Sequence, residues 1–200
     1  MKKILLAVAV LGLLGFGYGV VRAPSLYNEM LPLGVAVDKS FSDLDAQYQR
    51  RSDLIPNLVA AVQGEANFEK STLDAVTSAR ARATSTQLTL TPEALKDPEA
   101  MKSYQQAQGD ITQALSRLMV ASENYPTLQA NKAFQELRAS IEGTENRVKY
   151  ARETYNDRVA DYNVKLSFPQ NIIARFIGIP ARTFFEADKG ASAAPQVKFN

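Results

Sequence analysis

The chain has 200 residues, of which 46% are hydrophobic, and it contains neither cysteine nor histidine. These absences exclude disulfides, thiolate and imidazole metal sites, and the Ser-His-Asp and Cys-His catalytic arrangements, so we predict no cofactor and no enzyme activity. The formal net charge of +2 arises at the amino terminus: removing Lys2, Lys3 and Arg22 from 23 basic residues leaves 20, against 21 acidic residues. The remainder lacks the basic footprint of a nucleic-acid partner.

The first predicted element is a membrane-spanning helix. Ile4 to Val21 is a run of 18 residues without a charge, and at about 1.5 Å per residue it spans roughly 27 Å, close to the thickness of a hydrocarbon core. Two lysines before the run also fit a secretory signal peptide, but Pro24 directly follows the candidate cleavage triplet Val21-Arg22-Ala23 and should hinder the peptidase. We therefore predict an uncleaved signal-anchor over residues 1–22.

The charges that flank this run give its orientation. Lys2, Lys3 and the free amine lie on one side, whereas Arg22 and Lys39 follow on the other. The positive-inside rule favours the amino terminus in the cytoplasm. We predict a single-pass protein of the cell membrane whose bulk is extracytoplasmic. Gly15 and Gly19 have the spacing of a helix-dimer motif, which suits a homo-oligomer but is also common in simple anchors.

After a connector predicted over residues 23–36, a helical period begins at Val37. Pro56 removes the hydrogen bond to the Ser52 carbonyl, which predicts a kink or break near Ser52. The stripe nevertheless stays in phase after this point, so one long helix or two helices in line are predicted. It comprises Val37, Phe41, Leu44, Tyr48, Arg51, Ile55, Leu58 and Val62, and then Phe68, Thr72, Val76 and Ala79.

Two further helices follow a linker predicted over residues 87–97. Asp97-Pro98-Glu99 has the pattern of a cap followed by proline at the first helical position, and helical spacing then holds until Pro126. A third helix is predicted from its cap at Asn131 to Leu166. A short apolar helix over residues 171–178, ended by Gly178, and a disordered tail over residues 187–200 complete the chain.

These elements predict an all-α fold, an elongated antiparallel bundle of three to four helices over residues 37–186 behind the transmembrane helix. If the first bundle helix continues past Pro56, the second returns toward the membrane and the third runs outward. Residues 168–185 would then lie near the linker at Gln87, far from the bilayer. We expect Phe176 to pack at this distal end, with a partner-facing patch as the alternative.

Several runs, in this order and spacing, resemble the LemA family of small membrane-anchored helical proteins. The resemblance covers nearly the whole chain after the anchor, except residues 87–103, and it implies a helical bundle behind a membrane helix with no defined biochemical activity. The runs are Tyr27-Asn28, RRSDLIPNLV (residues 50–59), LDAV (73–76), ARA (79–81), ALSRL (114–118), Tyr125-Pro126, TENR (144–147), ARETYND (151–157), and Phe168-Pro169 through Phe185-Glu186.

Charged residues on the apolar stripes are the main site candidates. Arg51 lies on the seam of the first bundle helix, and Glu145 and Arg152 bracket Val148 on the third, which predicts a buried charge network that fixes helix register. A partner-recognition patch and a small-ligand or ion site remain as alternatives, and no metal ligand set is predicted. The structural or partner-facing candidates are Arg51, Asp53, Pro56, Asn57, Glu145, Asn146, Arg152 and Phe176.

Two function classes fit these features. The favoured one is a membrane-anchored scaffold or adaptor without catalytic activity, which presents the bundle to another membrane or envelope protein, with a homo-oligomer as a further option. The alternative is a ligand-sensing or substrate-binding accessory domain that uses a polar cleft at the kink. A glycosidase with paired carboxylates is disfavoured, because bundles rarely offer a cleft in which two acids converge.

Overall fold

A computed structural model describes residues 1–65, 68–88 and 96–186, and the tail predicted over residues 187–200 lies outside these ranges. Within them the chain forms six α-helices and no strand, which confirms the all-α fold class. The helices are α1 (Lys2–Gln63), α2 (Lys70–Leu88), α3 (Pro98–Ser122), α4 (Pro126–Ala130), α5 (Lys132–Lys165) and α6 (Gln170–Phe176).

Helix α1 runs without interruption from the apolar amino terminus into the bundle. It contains Pro24, Pro32 and Pro56. The residues predicted as a connector, 23–36, are therefore helical, and the helix does not break near Ser52. Leu26 and Met30 explain the continuity around Pro24 and Pro32, because both are buried in the core and their packing offsets the hydrogen bonds that these two prolines remove.

The chain reverses direction between α1 and α2, and the prediction of one helix, or two in line, past Val62 is wrong. Gln87 Nε2 on α2 donates a hydrogen bond of 2.8 Å to Asp45 Oδ1 on α1, so α2 returns along α1. The stripe in α2 lies in phase with that of α1, so helical periodicity alone could not reveal the turn. The predicted caps agree with the structure: Asp97 and Asn131 accept hydrogen bonds from the first turns of α3 and α5.

This additional reversal changes the direction of every later helix. Arg51 on α1 contacts Gln108 on α3 and Glu145 on α5, whereas Lys165, at the end of α5, lies 3.7 Å from Glu29 near the start of α1. Helix α5 therefore runs toward the apolar amino-terminal segment, which is long and apolar enough to be a candidate membrane helix. The placement of residues 168–185 far from the bilayer is wrong, because α6 packs on the part of α1 next to that segment.

The bundle contains two apolar cores stacked along its length. The first core, called membrane-proximal because it adjoins the candidate membrane helix at the amino terminus, includes Leu26, Phe41, Tyr155 and Ile173. The distal core joins α1, α2, α3, α4 and α5, with Ile55, Leu118 and Phe134 among its members. Helix α1 contributes to both cores through the buried stripe that the sequence predicted.

Candidate functional site

Arg51 occupies a polar layer in the interior of the bundle. Its side chain is completely buried, with 0% exposure. Nη1 donates to Thr112 Oγ1 at 2.7 Å and to Glu145 Oε1 at 2.8 Å, while Nη2 donates to the Gln108 carbonyl at 3.0 Å and to Gln108 Oε1 at 2.7 Å. The guanidinium also lies 4.9 Å from the centre of the Tyr48 ring. One arginine on α1 thus connects to α3 and α5.

This layer separates the two apolar cores. On each of the three helices, one buried apolar residue flanks the layer on each side. One of the two belongs to the membrane-proximal core and the other to the distal core. A shift of one helix by one turn would bury Arg51 in an apolar core without its acceptors, which costs several kcal/mol. The layer therefore fixes the register of α1, α3 and α5. The flanking pairs are Tyr48 and Ile55 on α1, Tyr104 and Ile111 on α3, and Ile141 and Val148 on α5.

The acid of this layer is more accessible than its partner arginine. Glu145 has a side-chain exposure of 31%, against 0% for Arg51. A cleft of about 60 Å³ lies beside the pair, and Arg152 lines this cleft together with Glu145 and Lys149. Such a volume suits a few water molecules rather than a metabolite. The network that the sequence predicted around Arg51 and Glu145 thus uses both Nη atoms of the arginine, leaves its buried Nε without a partner among the described residues, and opens to the cleft on the acid side.

The other predicted candidates do not join this layer. Asp53, Pro56, Asn57 and Asn146 are exposed on the bundle surface, and Asp53 accepts a 2.8 Å hydrogen bond from Gln49 one turn earlier. Phe176 lies on α6 with 87% exposure, so the expectation that it packs into a core is wrong. The buried residues at that position are its neighbours Ile173 and Ala174.

Arg80 compensates for the proline inside α1. Pro56 has no N–H, so the carbonyl of Ser52, four residues earlier, loses its partner within the helix. Ser52 is buried, with 5% exposure, and Arg80 Nε on α2 donates a 2.9 Å hydrogen bond to this carbonyl. Because an unpaired buried carbonyl is costly, the proline and the arginine together dock α2 against α1.

Arg80→Met should lower the free energy of unfolding by about 1–3 kcal/mol, because it leaves the Ser52 carbonyl without a partner. In a Pro56→Ala background the same change should cost much less, since the backbone N–H that alanine supplies there restores the bond within the helix. The measurement is a double-mutant cycle by chemical unfolding. Arg82→Met is the matched control: the Arg82 side chain is 58% exposed in its ion pair with Asp110, so little change is expected. Equal costs of Arg80→Met in both backgrounds would refute the compensation.

A pair of asparagines, which the sequence patterns above did not predict, holds the end of the described chain. Asn163 exchanges two hydrogen bonds of 2.9 Å with the backbone N–H and carbonyl of Arg182. Asn156 makes the same exchange with Phe185, at 3.0 and 2.8 Å. Residues 179–186 therefore form a strap, an extended segment that runs along α5. The dipeptide Tyr-Asn occurs at 155–156 and again at 162–163, and this seven-residue repeat is the signal that could have revealed the contact.

The family of this chain follows from its match to a protein-family model. The model of the LemA family matches residues 40–199, which include the polar layer, Arg80 and both asparagines. The chain belongs to the LemA family. It is also similar to the magnetosome protein MamQ of Magnetospirillum gryphiswaldense, with 26% identity over 96% of this chain and 75% of the relative. Magnetosome protein MamQ 2 of Paramagnetospirillum magneticum is 25% identical, over 96% and 74% of the two chains.

In this LemA protein the tyrosines of the repeat also hold the strap, through hydrogen bonds from α5 to its carbonyl groups. Tyr155 donates a 2.9 Å hydrogen bond to the Thr183 carbonyl, and Tyr162 donates one of 3.2 Å to the Pro180 carbonyl. Burial raises the pKa of Tyr155 to about 12. Phe185 packs against Tyr155 in an edge-to-face arrangement, with 5.6 Å between ring centres. The strap is thus an integral part of the membrane-proximal core.

A second polar bridge joins α1 to α2 and α3. Tyr104 donates a 2.6 Å hydrogen bond to Asp45 Oδ1, which also accepts from Gln87. Burial, followed by the charge of Asp45, raises the pKa of Tyr104 far above its ordinary value, so it remains a neutral donor. Among the described residues, no group of three or more acidic side chains is placed to hold a metal ion. Asp45 thus joins α1 to α2 and α3 through hydrogen bonds from Gln87 and Tyr104.

Proposed function

We propose that this LemA-family chain is a membrane-anchored scaffold or adaptor that presents a rigid bundle to another membrane or envelope protein and catalyses no reaction of its own. The observation that supports this most directly is the continuity of α1 over 62 residues, from Lys2 to Gln63. Its first part is apolar and long enough to cross a membrane. One helix therefore serves as both the anchor and the central element of the bundle.

A continuous helix determines how the bundle is presented. At about 1.5 Å per residue α1 is roughly 90 Å long, and no flexible linker separates the anchor from the buried positions Leu26, Met30 and Val37. An enzyme or sensor that only needed attachment to the membrane would function on a flexible tether. A fixed height and orientation instead favour docking with a partner held in the same membrane.

The closed polar layer supports the same proposal. The four bonds that Arg51 makes through its Nη atoms go to Thr112, Glu145 and Gln108. These bonds match the four N–H donors of those two atoms, while Nε is buried without a partner among the described residues, so four of the five donors of the buried cation hold the helices. We place the protein in the cell membrane as a single-pass, uncleaved anchor with the bundle outside the cytoplasm, on the flanking charges Lys2, Lys3 and Arg22.

Crosslinking from the bundle surface tests the adaptor role. A photoreactive residue at Asn146 or at Tyr150, one helical turn later, should capture the same heterologous membrane or envelope protein in intact membranes. Tyr150 is 73% exposed. The matched control is a photoreactive residue at Leu44, which is fully buried and should capture nothing from outside the chain. The intact mass of the uncrosslinked protein should include residues 1–22.

Crosslinks only to a second copy of the chain would support a homo-oligomer and contradict the adaptor proposal. Crosslinks to lipid alone, or to unrelated proteins from the two neighbouring positions, would argue against a specific partner. A mass that lacks residues 1–22 would refute the anchor.

The alternative of a ligand-sensing domain is favoured by one observation. A cavity of about 190 Å³ is lined by Arg182, Asp38, Lys96 and Tyr162. The Arg182 side chain is only 7% exposed, and although Nη2 lies 3.1 Å from Asp38 Oδ1, Nε and Nη1 have no hydrogen-bond partner among the described residues. Such donors suit a small carboxylate or phosphate compound. A rise in unfolding temperature with such a compound, lost in Arg182→Met, would favour the sensor over the adaptor.

A further inference from the structure

The helical register of α5 against α1 locates the end of α5 next to the membrane-spanning segment. Arg51 pairs with Glu145, Gly34 lies beside the Tyr162 ring, and Glu29 pairs with Lys165. Each step forward along α5 thus corresponds to a step backward along α1. The turn that follows Lys165 therefore lies at the end of the bundle that faces the anchor.

Helix α6 packs onto α1 at the same level. Ile173 and Ala174 are buried in one core with Leu26 and Met30, and Ala23 packs against this core. Ala23 and Leu26 follow Val21, the last residue of the apolar run, by two and five residues, or about 3 and 7 Å along the helix. The headgroup layer on each side of a bilayer is about 5–8 Å thick. If Val21 marks the hydrocarbon boundary, α6 lies against or within the headgroup layer.

The outer surface of this segment is apolar. Ile172 and Phe176 lie one turn apart on α6, and Phe168 lies just before the helix; their exposed fractions are 52%, 87% and 77%. A soluble domain does not ordinarily leave two phenylalanines so fully exposed in one short segment. Because Ile173 and Ala174 already fill the contact with α1, the exposed side chains are not needed to dock α6 on the bundle.

Cationic side chains accompany this apolar surface. Arg175 is exposed in the last turn of α6, and the exposed Lys165 and the partly exposed Arg22 both lie near Glu29. Cations beside exposed aromatic and aliphatic side chains are typical of segments that rest in the interface of an anionic membrane.

We propose that Phe168, Ile172 and Phe176 insert into the headgroup and acyl-chain boundary of the same bilayer, so that the bundle contacts the membrane at a second point beside α1. This inference rests on the anchoring proposed above. The surface lies at the end of the bundle where α1 passes from the apolar run to Ala23 and Leu26, which commits it to lipid rather than to a soluble partner. Two contacts from one rigid body fix the tilt and rotation of the bundle on the membrane, which a single helix leaves free.

Site-directed labelling tests the contact directly, because the chain has no cysteine of its own. The full-length Phe176→Cys variant, carrying a polarity-sensitive fluorophore, is reconstituted into vesicles of phosphatidylcholine and phosphatidylglycerol that contain spin-labelled lipid. We expect a blue-shifted emission that the spin label quenches, corresponding to a depth of about 5–10 Å in the interface. Circular dichroism should be unchanged, since Phe176 is almost fully exposed.

Two control positions make every outcome informative. Leu14→Cys in the apolar run should be quenched, and Tyr150→Cys, at 73% exposure on α5, should not. If Leu14→Cys is quenched but Phe176→Cys behaves like Tyr150→Cys, the second contact is refuted while the anchor stands. If Leu14→Cys is not quenched, the anchor itself fails, and the proposed function fails with it. A blue-shifted but unquenched label at position 176 would mean that protein covers the surface, which also refutes the inference.

A second variant separates the apolar surface from simple proximity. Phe168→Ser together with Ile172→Ser removes two of the three exposed apolar side chains without touching the buried ones. Quenching of the label at position 176 should decrease, whereas quenching at Leu14→Cys should stay the same. Undiminished quenching at position 176 would contradict insertion driven by these side chains.

Discussion

Glu145→Leu is expected to lower the free energy of unfolding by about 3–5 kcal/mol, because it strands the cation of Arg51 in the interior. At 0% exposure, the guanidinium of Arg51 cannot regain water. Arg51→Met should cost less, about 1–3 kcal/mol, because Glu145 is 31% exposed and can be hydrated, so that the main loss is the unpaired Gln108 side chain. Thermal unfolding of the full chain in detergent, followed by circular dichroism, measures both.

The double variant decides whether the two residues act as a pair. Arg51→Met together with Glu145→Leu should recover much of the loss caused by Glu145→Leu alone, because no buried charge is then left unpaired. Glu145→Gln is the matched control, since it keeps an acceptor for Arg51 Nη1 while removing the charge, and it should fall between wild type and Glu145→Leu. Strict additivity of the two single variants would contradict the pairing.

Phe185→Ala should lower the free energy of unfolding by about 3–5 kcal/mol, the usual cost of removing a fully packed phenylalanine. Phe185 is 5% exposed, and its ring contacts Tyr48, Tyr104 and Tyr155 with 5.6 to 6.3 Å between centres. The loss should also release the strap, which limited proteolysis between residues 179 and 186 would detect.

The adjacent Phe184 provides the control for this prediction. It has the same side chain but is 44% exposed, so Phe184→Ala should change stability by less than about 1 kcal/mol. Equal effects at both positions would indicate that the strap does not pack as described. Protease resistance of Phe185→Ala equal to that of wild type would show that the asparagine contacts hold the strap without the ring.

Helical periodicity was sufficient to predict the buried stripe of α1 and the position of Arg51 on it, because a residue's face on a helix depends only on its position in the repeat. The partner of Arg51 also followed from the sequence, since a buried cation requires an acid and Glu145 lies beside the apolar stripe of the third predicted helix. The caps at Asp97 and Asn131 were predictable for a related reason: capping is a contact within one turn of the chain.

The reversal after Gln63 was not predictable from the same pattern. The stripe of α2 keeps the phase of α1, and Gly64, which ends α1, has helical backbone angles. The backbone of Gly64 therefore does not distinguish a turn from a continuing helix. Packing of α2 back onto α1 and α3 decides it, and this packing in turn places α6 beside the membrane-spanning segment rather than far from it.

The sequence by itself determined the apolar amino-terminal run, the helical class, the buried stripes and the charged residues that interrupt them, because each of these depends on neighbours within a few residues. Only the tertiary structure decided the continuity of α1 through its three prolines, the hydrogen bond from Arg80 to the carbonyl that Pro56 leaves free, the strap held by Asn156 and Asn163, and the exposed surface of α6. These features depend on contacts between residues that are about 20 or more positions apart. Their free energy comes from burial and hydrogen bonding across helices, which a local pattern does not encode.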